Sequence, residues 1–193
     1  MKLGLIIVAA FSIPAGVCSA APANMPVWSL SKSLVSQLMP AVTVGKYQVQ
    51  PPRGYTALHR LSGPGDSSGD AWAGPTRADG TRPYLLFVHV PIPASERSKY
   101  TLAQMSAKML AGVERHRVGW KQSLTEQGTV NGTTFLRTYW QGTEAANGKP
   151  MHGFNYVARE ESTLIQISSQ DVDQHQQTAL ALSEASALTF KKL

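Results

Sequence analysis

Residues 120–143 read WKQSLTEQGTVNGTTFLRTYWQGT, and one Asn-Gly pair, Asn131-Gly132, stands near the middle. Asn-Gly tolerates the positive φ angles of a two-residue type I′ turn, whose twist matches that of two paired strands. On both sides of the pair, apolar and polar residues alternate with a period of two, which is typical of strands with one buried face. The stretch therefore predicts a β-hairpin.

Two further runs with strand character follow the hairpin. They are KPMHGFNYVAR at 149–159 and STLIQISSQ at 162–170, with a turn at Glu160-Glu161 between them. Consecutive strands that are joined by short turns pair antiparallel with their neighbours. Residues 119–170 thus predict a four-stranded antiparallel meander.

Helices are predicted before and after the meander. Thr101 and Gln104 have the spacing of a capping box, so a helix should begin at Leu102. After the last strand, Asp171 or Asp173 is a candidate N-cap of a final helix. Both segments carry one apolar stripe, which is the mark of a helix that lies on a sheet.

The region before the first of these helices is predicted as extended pieces broken by Gly and Pro. A strand at 47–49 runs into a tight Pro-Pro-Arg-Gly turn, and Asp79-Gly80 indicates a type I′ hairpin turn. The second arm of that hairpin, PYLLFVHV at 83–90, is nearly all apolar. We therefore predict a central strand that is buried on both faces.

This element order predicts the α+β fold class, with an antiparallel β-sheet whose four-stranded C-terminal meander is covered by helices. The motif YQVQPPRGY at 47–55 and the closing ALTF at 187–190 accompany this order. Together they resemble the PsbP/Mog-like superfamily of secreted bacterial proteins. The resemblance implies an α/β/α sandwich formed by a single domain at 46–193.

The same resemblance implies binding rather than turnover. Proteins of the superfamily act mostly as non-catalytic accessory or protein-binding modules, among them extrinsic subunits of photosystem II, Ran-binding factors and envelope lipoproteins. No site motif of these proteins can be matched here residue by residue, and a fold alone does not set a function. The resemblance therefore predicts a non-enzyme and names no partner.

The N-terminus has the features of an export signal. A basic residue and a short apolar run precede the small residues of Cys18-Ser19-Ala20, so residues 1–20 are predicted to be a signal peptide cleaved after Ala20. The predicted location is secreted or periplasmic. Residues 21–45 are predicted to form a leader with a short amphipathic helix. The apolar residues of that helix are Leu30, Leu34 and Leu38.

The alternative is a lipoprotein signal that is lipidated on Cys18, which would make the protein a lipid-anchored structural protein with peripheral membrane association. The residues before Cys18 fit that signal poorly, because Ala15 stands where Leu is usual and Val17 where a small residue is usual. Cys18 is the one cysteine of the chain. Cleavage after Ala20 therefore leaves no thiol and no disulfide.

The mature chain is basic. Without Lys2 it carries 17 basic and 12 acidic side chains, a net charge of +5. This excess favours a protein or envelope partner with an acidic surface, but it does not reach the density of a nucleic-acid-binding domain. Nucleic acid is therefore not a predicted partner.

The densest cationic cluster is ERHRVGWK at 114–121, where the first long helix is predicted to end. We interpret it as a docking patch for an anionic surface with an aromatic anchor. The predicted binding residues are Arg115, Arg117, Trp120 and Lys121. The alternative is that these cations only offset the dipole at the helix C-terminus.

An alternative function, a small serine hydrolase, comes from the loop GDSSG at 65–69, which matches G-x-S-x-G with Ser67 as the nucleophile. A nucleophile elbow needs a strand before the Ser and a helix after it, and Gly- and Pro-rich segments stand in both places. The five His residues lack zinc spacing, and the Asp residues near the loop lack the calcium-loop pattern. We predict no catalytic residue, no metal site and no cofactor, although a metal site built from distant strands stays open.

The export prediction can be checked on the protein made in an exporting bacterial host. Intact-mass spectrometry should give the mass of the chain that begins at Ala21, because cleavage follows small residues. A mass that retains an acylated Cys18 would contradict this prediction and support the lipid-anchored alternative. Cys18→Ser is the control, since it removes the acylation site.

Overall fold

The computed structural model describes residues 25–62 and 68–193. These residues form three α-helices and eleven β-strands. The helices are α1 (Lys32–Val35), α2 (Leu102–Glu114) and α3 (Gln176–Ala187). The strands are β1 (Val42–Val44), β2 (Tyr47–Val49), β3 (Thr56–Ser62), β4 (Ser68–Ala73), β5 (Tyr84–Pro91), β6 (Arg117–Gln122), β7 (Glu126–Val130), β8 (Thr133–Glu144), β9 (Pro150–Glu160), β10 (Thr163–Val172) and β11 (Lys191–Lys192).

The main sheet has eight strands in the order β3-β4-β5-β10-β9-β8-β6, and β7 pairs with β8 next to β6. Every pairing in it is antiparallel. A smaller sheet has the order β1-β2-β11. The predicted meander is confirmed as β6/β7, β8, β9 and β10, so the predicted fold class is confirmed as well.

Two turns with positive φ set the register of the meander. Asn131 and Gly132 have φ angles of 47° and 85°, and they join Val130 to its partner Thr133. Glu161, with φ of 52°, lies in the turn between β9 and β10. Both turns lie where the sequence predicts them, and the first has the conformation that Asn-Gly favours.

The main sheet has two different faces, which we call the α3 face and the α2 face. On the α3 face, α3 packs over β9 and β10, and the smaller sheet packs beside it. The core lies there, with aromatic rings that contact one another edge to face, as in the pair Phe135 and Phe190 at 5.1 Å. Its fully buried rings are Tyr47, Phe87, Phe135, Phe154, Tyr156 and Phe190.

Helix α2 covers only part of the other face. The capping box is present as predicted, since Gln104 N–H donates to Thr101 Oγ1 at 3.2 Å and Thr101 N–H donates to Gln104 Oε1 at 2.9 Å. The helix packs over β6, β8 and β9, where Trp140 and Val157 are buried. No helix in the described ranges is long and apolar enough to cross a membrane.

The prediction that strand β5 is buried on both faces was wrong. The strand is central in the sheet order, but burial alternates along it. Leu85 and Phe87 face α3 and are 1% and 0% exposed, whereas Leu86 and Val88 face the other side and are half-buried. The hairpin with β4 is confirmed, but only Gly80 of Asp79-Gly80 has positive φ, so its turn is not type I′.

Two other local predictions differ from the structure. The leader helix is a single turn, α1, because Leu38 lies in a β-bridge with Pro52 instead of continuing the helix. Asp171 is the last but one residue of β10 and not a helix cap. Its carboxylate is 0% exposed and accepts from both terminal nitrogens of Arg77, at 2.7 and 2.6 Å.

A polar cluster joins the meander to α3. One carboxylate oxygen of Glu184 accepts hydrogen bonds from the Tyr139 hydroxyl, from the Tyr156 hydroxyl at 2.7 Å and from Arg137 Nη1 at 2.9 Å. Arg137 also forms an ion pair with Glu126 on β7. Burial and the negative charge of Glu184 raise the pKa of both tyrosines well above its ordinary value.

The leader is held at the same cluster. Residues 26–28 pair in parallel with β7, and Trp28 N–H donates to the Thr129 carbonyl at 2.9 Å. The Arg137 guanidinium lies 4.3 Å from the centre of the Trp28 ring, a cation–π contact. A Cβ atom on Gly128 would lie 2.4 Å from that ring, so the close approach needs glycine.

The raised pKa values of Tyr139 and Tyr156 predict loss of stability at high pH. An unfolded tyrosine ionises near pH 10 while the folded one keeps its proton, so the stabilisation is present below about pH 10 and is lost as the pH rises above it. Urea unfolding from pH 8 to 11 should show a falling free energy of unfolding. The double variant Tyr139→Phe, Tyr156→Phe should have the shallower slope, by up to about 1.4 kcal/mol per pH unit for each tyrosine. Equal slopes in both proteins would contradict the prediction, and Tyr100→Phe, outside the cluster, is the matched control.

Candidate functional site

The predicted binding residues lie where α2 ends and β6 begins, a region that we call the β6 corner (residues 114–124). Helix α2 ends at Glu114, and β6 starts three residues later at Arg117. Arg115 is the C-cap residue, and its side chain is exposed, with Nε donating to the Ala111 carbonyl at 3.3 Å. The helix therefore places one cation of the patch at its C-terminus, as the dipole favours.

A bulge in β6 divides the other predicted binding residues between the two faces of the sheet. Gly119 has φ of 65°, and the register with β8 shifts between Val118 and Lys121. Arg117 lies opposite Glu144 on the α2 face, while Lys121 lies opposite Gln141. The Gln141 side chain bonds His152 on the α3 face, so Lys121 belongs to that side. The four predicted binding residues thus do not form a single surface.

Arg117 is engaged inside the protein. Its side chain is only 5% exposed, and Nη1 lies 2.8 Å from a carboxylate oxygen of Glu144. Nη2 donates to Gln170 Oε1 at 2.9 Å, and the guanidinium lies 5.3 Å from the centre of the Trp140 ring. Burial lowers the pKa of Arg117, and the charge of Glu144 offsets part of that effect. The residue therefore joins the strand edge to the core.

Trp120 is partly buried by stacking. Its ring lies 5.3 Å from that of Trp140, with 20° between the planes. Trp140 is 4% exposed and packs on Gly153, where an added Cβ would lie 2.3 Å from the ring. The stack fixes the orientation of Trp120 and leaves part of its ring at the surface.

Two apolar residues of the corner, which the sequence did not single out, are open to solvent. Val118 is 65% exposed, and Leu124, in the bend between β6 and β7, is 90% exposed. Within the part of the chain that the structure describes, β6 pairs with β8 alone, whereas the outer edge of β7 is covered by the leader. A local signal existed in the sequence, because Leu124 stands among polar neighbours in a predicted strand and Val118 stands between Arg117 and Gly119 just before it.

Ser67, the candidate nucleophile, lies outside the described residues. The next residue, Ser68, is the first residue of β4, and its Oγ lies 2.6 Å from Nε2 of His89 on β5. His89 is 8% exposed and contacts the Tyr47 ring at 5.4 Å. A Cβ atom on Gly45 would lie 2.4 Å from the same Nε2, so the backbone of Gly45 covers that nitrogen.

Metal ligands were not predicted, and among residues 25–62 and 68–193 no group of three His, Cys, Asp or Glu side chains is placed to hold a metal ion. Asp66 lies outside these ranges. His152 Nδ1 lies 2.8 Å from Asp173 Oδ1. Asp79 accepts from the Thr81 backbone N–H at 3.0 Å, which is the local bonding expected of an Asp in a turn.

Two clefts adjoin Tyr55. One, of about 640 Å³, lies between α3 and the loop before β5, and the paired Arg77 forms part of its wall. The other, of about 490 Å³, has mostly apolar walls that include Met39 and Trp72. None of the predicted binding residues lines either cleft.

Comparison with known proteins shows the fold. No family model matches the chain, and no curated protein matches it in sequence. Cyanobacterial PsbP (CyanoP) from Synechocystis sp. PCC 6803 is similar in structure, with a TM-score of 0.56 and 14% identity over 92% of this chain and 98% of that one. LpqN of Mycobacterium tuberculosis, described as involved in cell envelope biogenesis, has a TM-score of 0.54 and 12% identity over 86% and 98%.

A third similar structure is the Ran-binding protein Mog1p of Saccharomyces cerevisiae, with a TM-score of 0.50 and 12% identity over 80% of this chain and 96% of that one. At these identities the likeness is one of fold. The likeness extends over 98%, 98% and 96% of the three similar chains. The chain therefore has a PsbP/Mog-like fold, as the sequence predicted.

Proposed function

We propose that this protein is an exported, non-catalytic binding module that docks the acidic surface of a protein partner in the envelope at the β6 corner. The observation that carries this proposal is the exposure of Val118 and Leu124, at 65% and 90%, beside the exposed cations Arg115 and Lys121. Exposed apolar side chains beside a cluster of cations are typical of interaction surfaces, and Glu114 is the single acid among residues 114–124.

The edge position of β6 makes the corner accessible from both sides of the sheet. The bulge sends Trp120 to one face and Lys121 to the other, so a partner that contacts the strand edge meets both residues. Arg117 contributes indirectly, because its pair with Glu144 orders the start of the strand. The bulge and the edge Lys121 also oppose uncontrolled strand pairing, which favours docking through side chains.

The absence of a catalytic role rests on two considerations. CyanoP, LpqN and Mog1p share the fold; LpqN is involved in cell envelope biogenesis, and Mog1p is a Ran-binding protein. The perturbed pKa values of Tyr139 and Tyr156 keep these groups protonated, which suits a structural hydrogen-bond network. An exported accessory module fits both considerations.

Photo-crosslinking at Leu124 tests the docking corner. With a benzoylphenylalanine at position 124, ultraviolet light should yield one discrete adduct with an envelope protein in exporting cells. In the background of Arg115→Glu, Lys121→Glu the adduct should fall at least fivefold, because charge reversal repels an acidic partner. Mass spectrometry of the adduct should identify an acidic segment at the crosslink.

The control for that experiment is the same crosslinker at Val35, which is 47% exposed and lies in the leader. Both charge-reversed sites are exposed, so the free energy of unfolding should change by less than about 0.5 kcal/mol. An adduct that survives charge reversal, or that forms equally from position 35, would exclude the corner as the docking site.

A second candidate function is a serine hydrolase, favoured by the single contact of 2.6 Å between Ser68 Oγ and His89 Nε2. Both residues stand in regular strands, directly opposite each other in the β4–β5 ladder. A nucleophile elbow instead places the Ser on a strained turn before a helix. The Gly45 backbone also stands close to His89 Nε2, where a reacting group would have to approach.

A fluorophosphonate probe separates the two candidates. We expect no labelling of the wild-type protein, because the Ser68 hydroxyl is engaged in a partly buried hydrogen bond with His89 between two strands. Labelling that disappears in Ser68→Ala, and persists in Ser67→Ala, would establish the hydrolase at Ser68. The reverse pattern would restore Ser67 as the nucleophile, and either pattern would overturn the non-catalytic proposal.

A further inference from the structure

The α2 face of the main sheet is unevenly covered. Under α2, residues of β8 and β9 are nearly inaccessible, as Trp140, Thr138 and Val157 show with 4%, 0% and 0% exposure. On β5 the same face is only half-buried from Tyr84 to Val90, and on β10 it is half-buried from Leu164 to Gln170 and closes only at Val172, which is 7% exposed. We call this second region the open half of the α2 face. Its large apolar side chains are Tyr84, Leu86, Val88, Val90 and Leu164.

Apolar residues are unusual on a sheet face that meets water. An antiparallel sheet with one solvated face normally alternates apolar and polar residues along each strand. Strand β5 does not, since Leu86, Val88 and Val90 lie on the open half and alternate with the core residues of the α3 face. The apolar residues on this side of β5 therefore indicate that the open half is covered in the functional state.

Two arginines flank the open half, and Glu161, which follows Arg159 by two residues, has its carboxylate 3.6 Å from Lys192 Nζ. Arg82 stands at one end, with its guanidinium 5.2 Å from the centre of the Tyr84 ring, and Arg159 stands at the other end opposite Leu164. Neither arginine has a carboxylate partner within residues 25–62 and 68–193. The acids of the described strands β4, β9 and β10, Asp70, Glu160 and Asp171, all lie at α3-face positions of the register.

The shape of the open half matches one helix. Strands stand about 4.8 Å apart, so β4, β5 and β10 span roughly 10 Å, close to the diameter of a helix. Gly69 and Ala71 lie opposite Val88 and Leu86 on this face, so no large side chain of β4 covers that part of β5. The eight residues of β5 extend about 27 Å, enough to support a helix of about 15 residues.

We propose that the open half of the α2 face binds an amphipathic helix of a partner protein, with apolar residues on one side and Asp or Glu at its margins. Helix α2 lies on the same face and adds a layer about 10 Å thick, so the open half forms a recess beside this helix. A single helix fits into that recess next to α2. A flat bilayer would contact the protruding α2 first and would not reach the strands of the open half. A second copy of this face would bring Arg82 and Arg159 towards like charges.

This proposal rests on the proposed binding function for the existence of a protein partner, but it uses a separate surface. The β6 corner lies at the far edge of the sheet, beyond β9 and β8 from β10. Charge reversal at Arg115 and Lys121 should therefore leave binding at the open half unchanged. An experiment that contradicts docking at the β6 corner therefore leaves helix binding at the open half untouched, and the reverse also holds.

The test uses two synthetic helical peptides of 21 residues, one with a Leu face and a Glu face and the other with Lys in place of every Glu. Titrated into the purified ¹⁵N-labelled protein, the Leu/Glu peptide should shift the backbone amides of β4, β5 and β10. The Leu/Lys peptide should bind at least tenfold more weakly, because Arg82 and Arg159 repel it.

Two variants sharpen the result. Leu86→Ser with Val88→Ser should abolish the shifts while the amides of β8 and β9 stay at wild-type positions, because both replaced side chains face the open side. Arg82→Glu with Arg159→Glu should reverse the preference between the two peptides. This reversal cannot arise from a loss of folding.

Several outcomes would overturn the proposal. These are no amide shifts with the Leu/Glu peptide, shifts confined to other strands, or an unchanged preference after charge reversal. Shifts of β4, β5 and β10 that appear only with phosphatidylglycerol vesicles would assign the open half to a membrane. A dimer in sedimentation experiments that Leu86→Ser with Val88→Ser dissociates would assign it to a second copy of the chain.

Discussion

The structure depends on the register of the antiparallel meander. In a sheet the side chains alternate between two faces, so a slip of one residue in any ladder would exchange the core face for the open face. The turn at Asn131-Gly132 prevents such a slip between β7 and β8, and the turn at Glu161 does the same between β9 and β10. Every functional feature described above follows from which residues this register sends to each face.

On the α3 face the register brings together the aromatic core and a polar cluster. A member of this cluster that lacked its hydrogen-bond partners would lower the free energy of unfolding. Glu184 accepts from Tyr139, Tyr156 and Arg137, so the partly buried carboxylate is satisfied by groups from two strands. The same Arg137 holds Trp28 of the leader. The described part of the leader therefore pairs with the β7 edge and packs as part of the domain.

On the α2 face the register produces two regions, of which α2 covers only one. Where α2 lies, the Trp140 ring packs on Gly153 and the stack with Trp120 extends the core to the β6 corner. Where α2 does not reach, Leu86 and Val88 stay half-buried. One helix of 13 residues is too narrow to cover the whole sheet, and the uncovered apolar residues of β5 are the consequence.

Much of the fold could be predicted from local sequence patterns. The meander, the capping box of Thr101 and Gln104, and the fold class each depend on interactions between residues close in the chain, which turn chemistry and periodicity report. Three features depend instead on residues that are distant in sequence or on the bulge at Gly119. They are the exposure of Leu86, the ion pair between Arg117 and Glu144, and the placement of Lys121 and Trp120 on opposite faces of the sheet. Alternation predicts that a strand has two faces, but only packing in three dimensions determines which of them a helix covers.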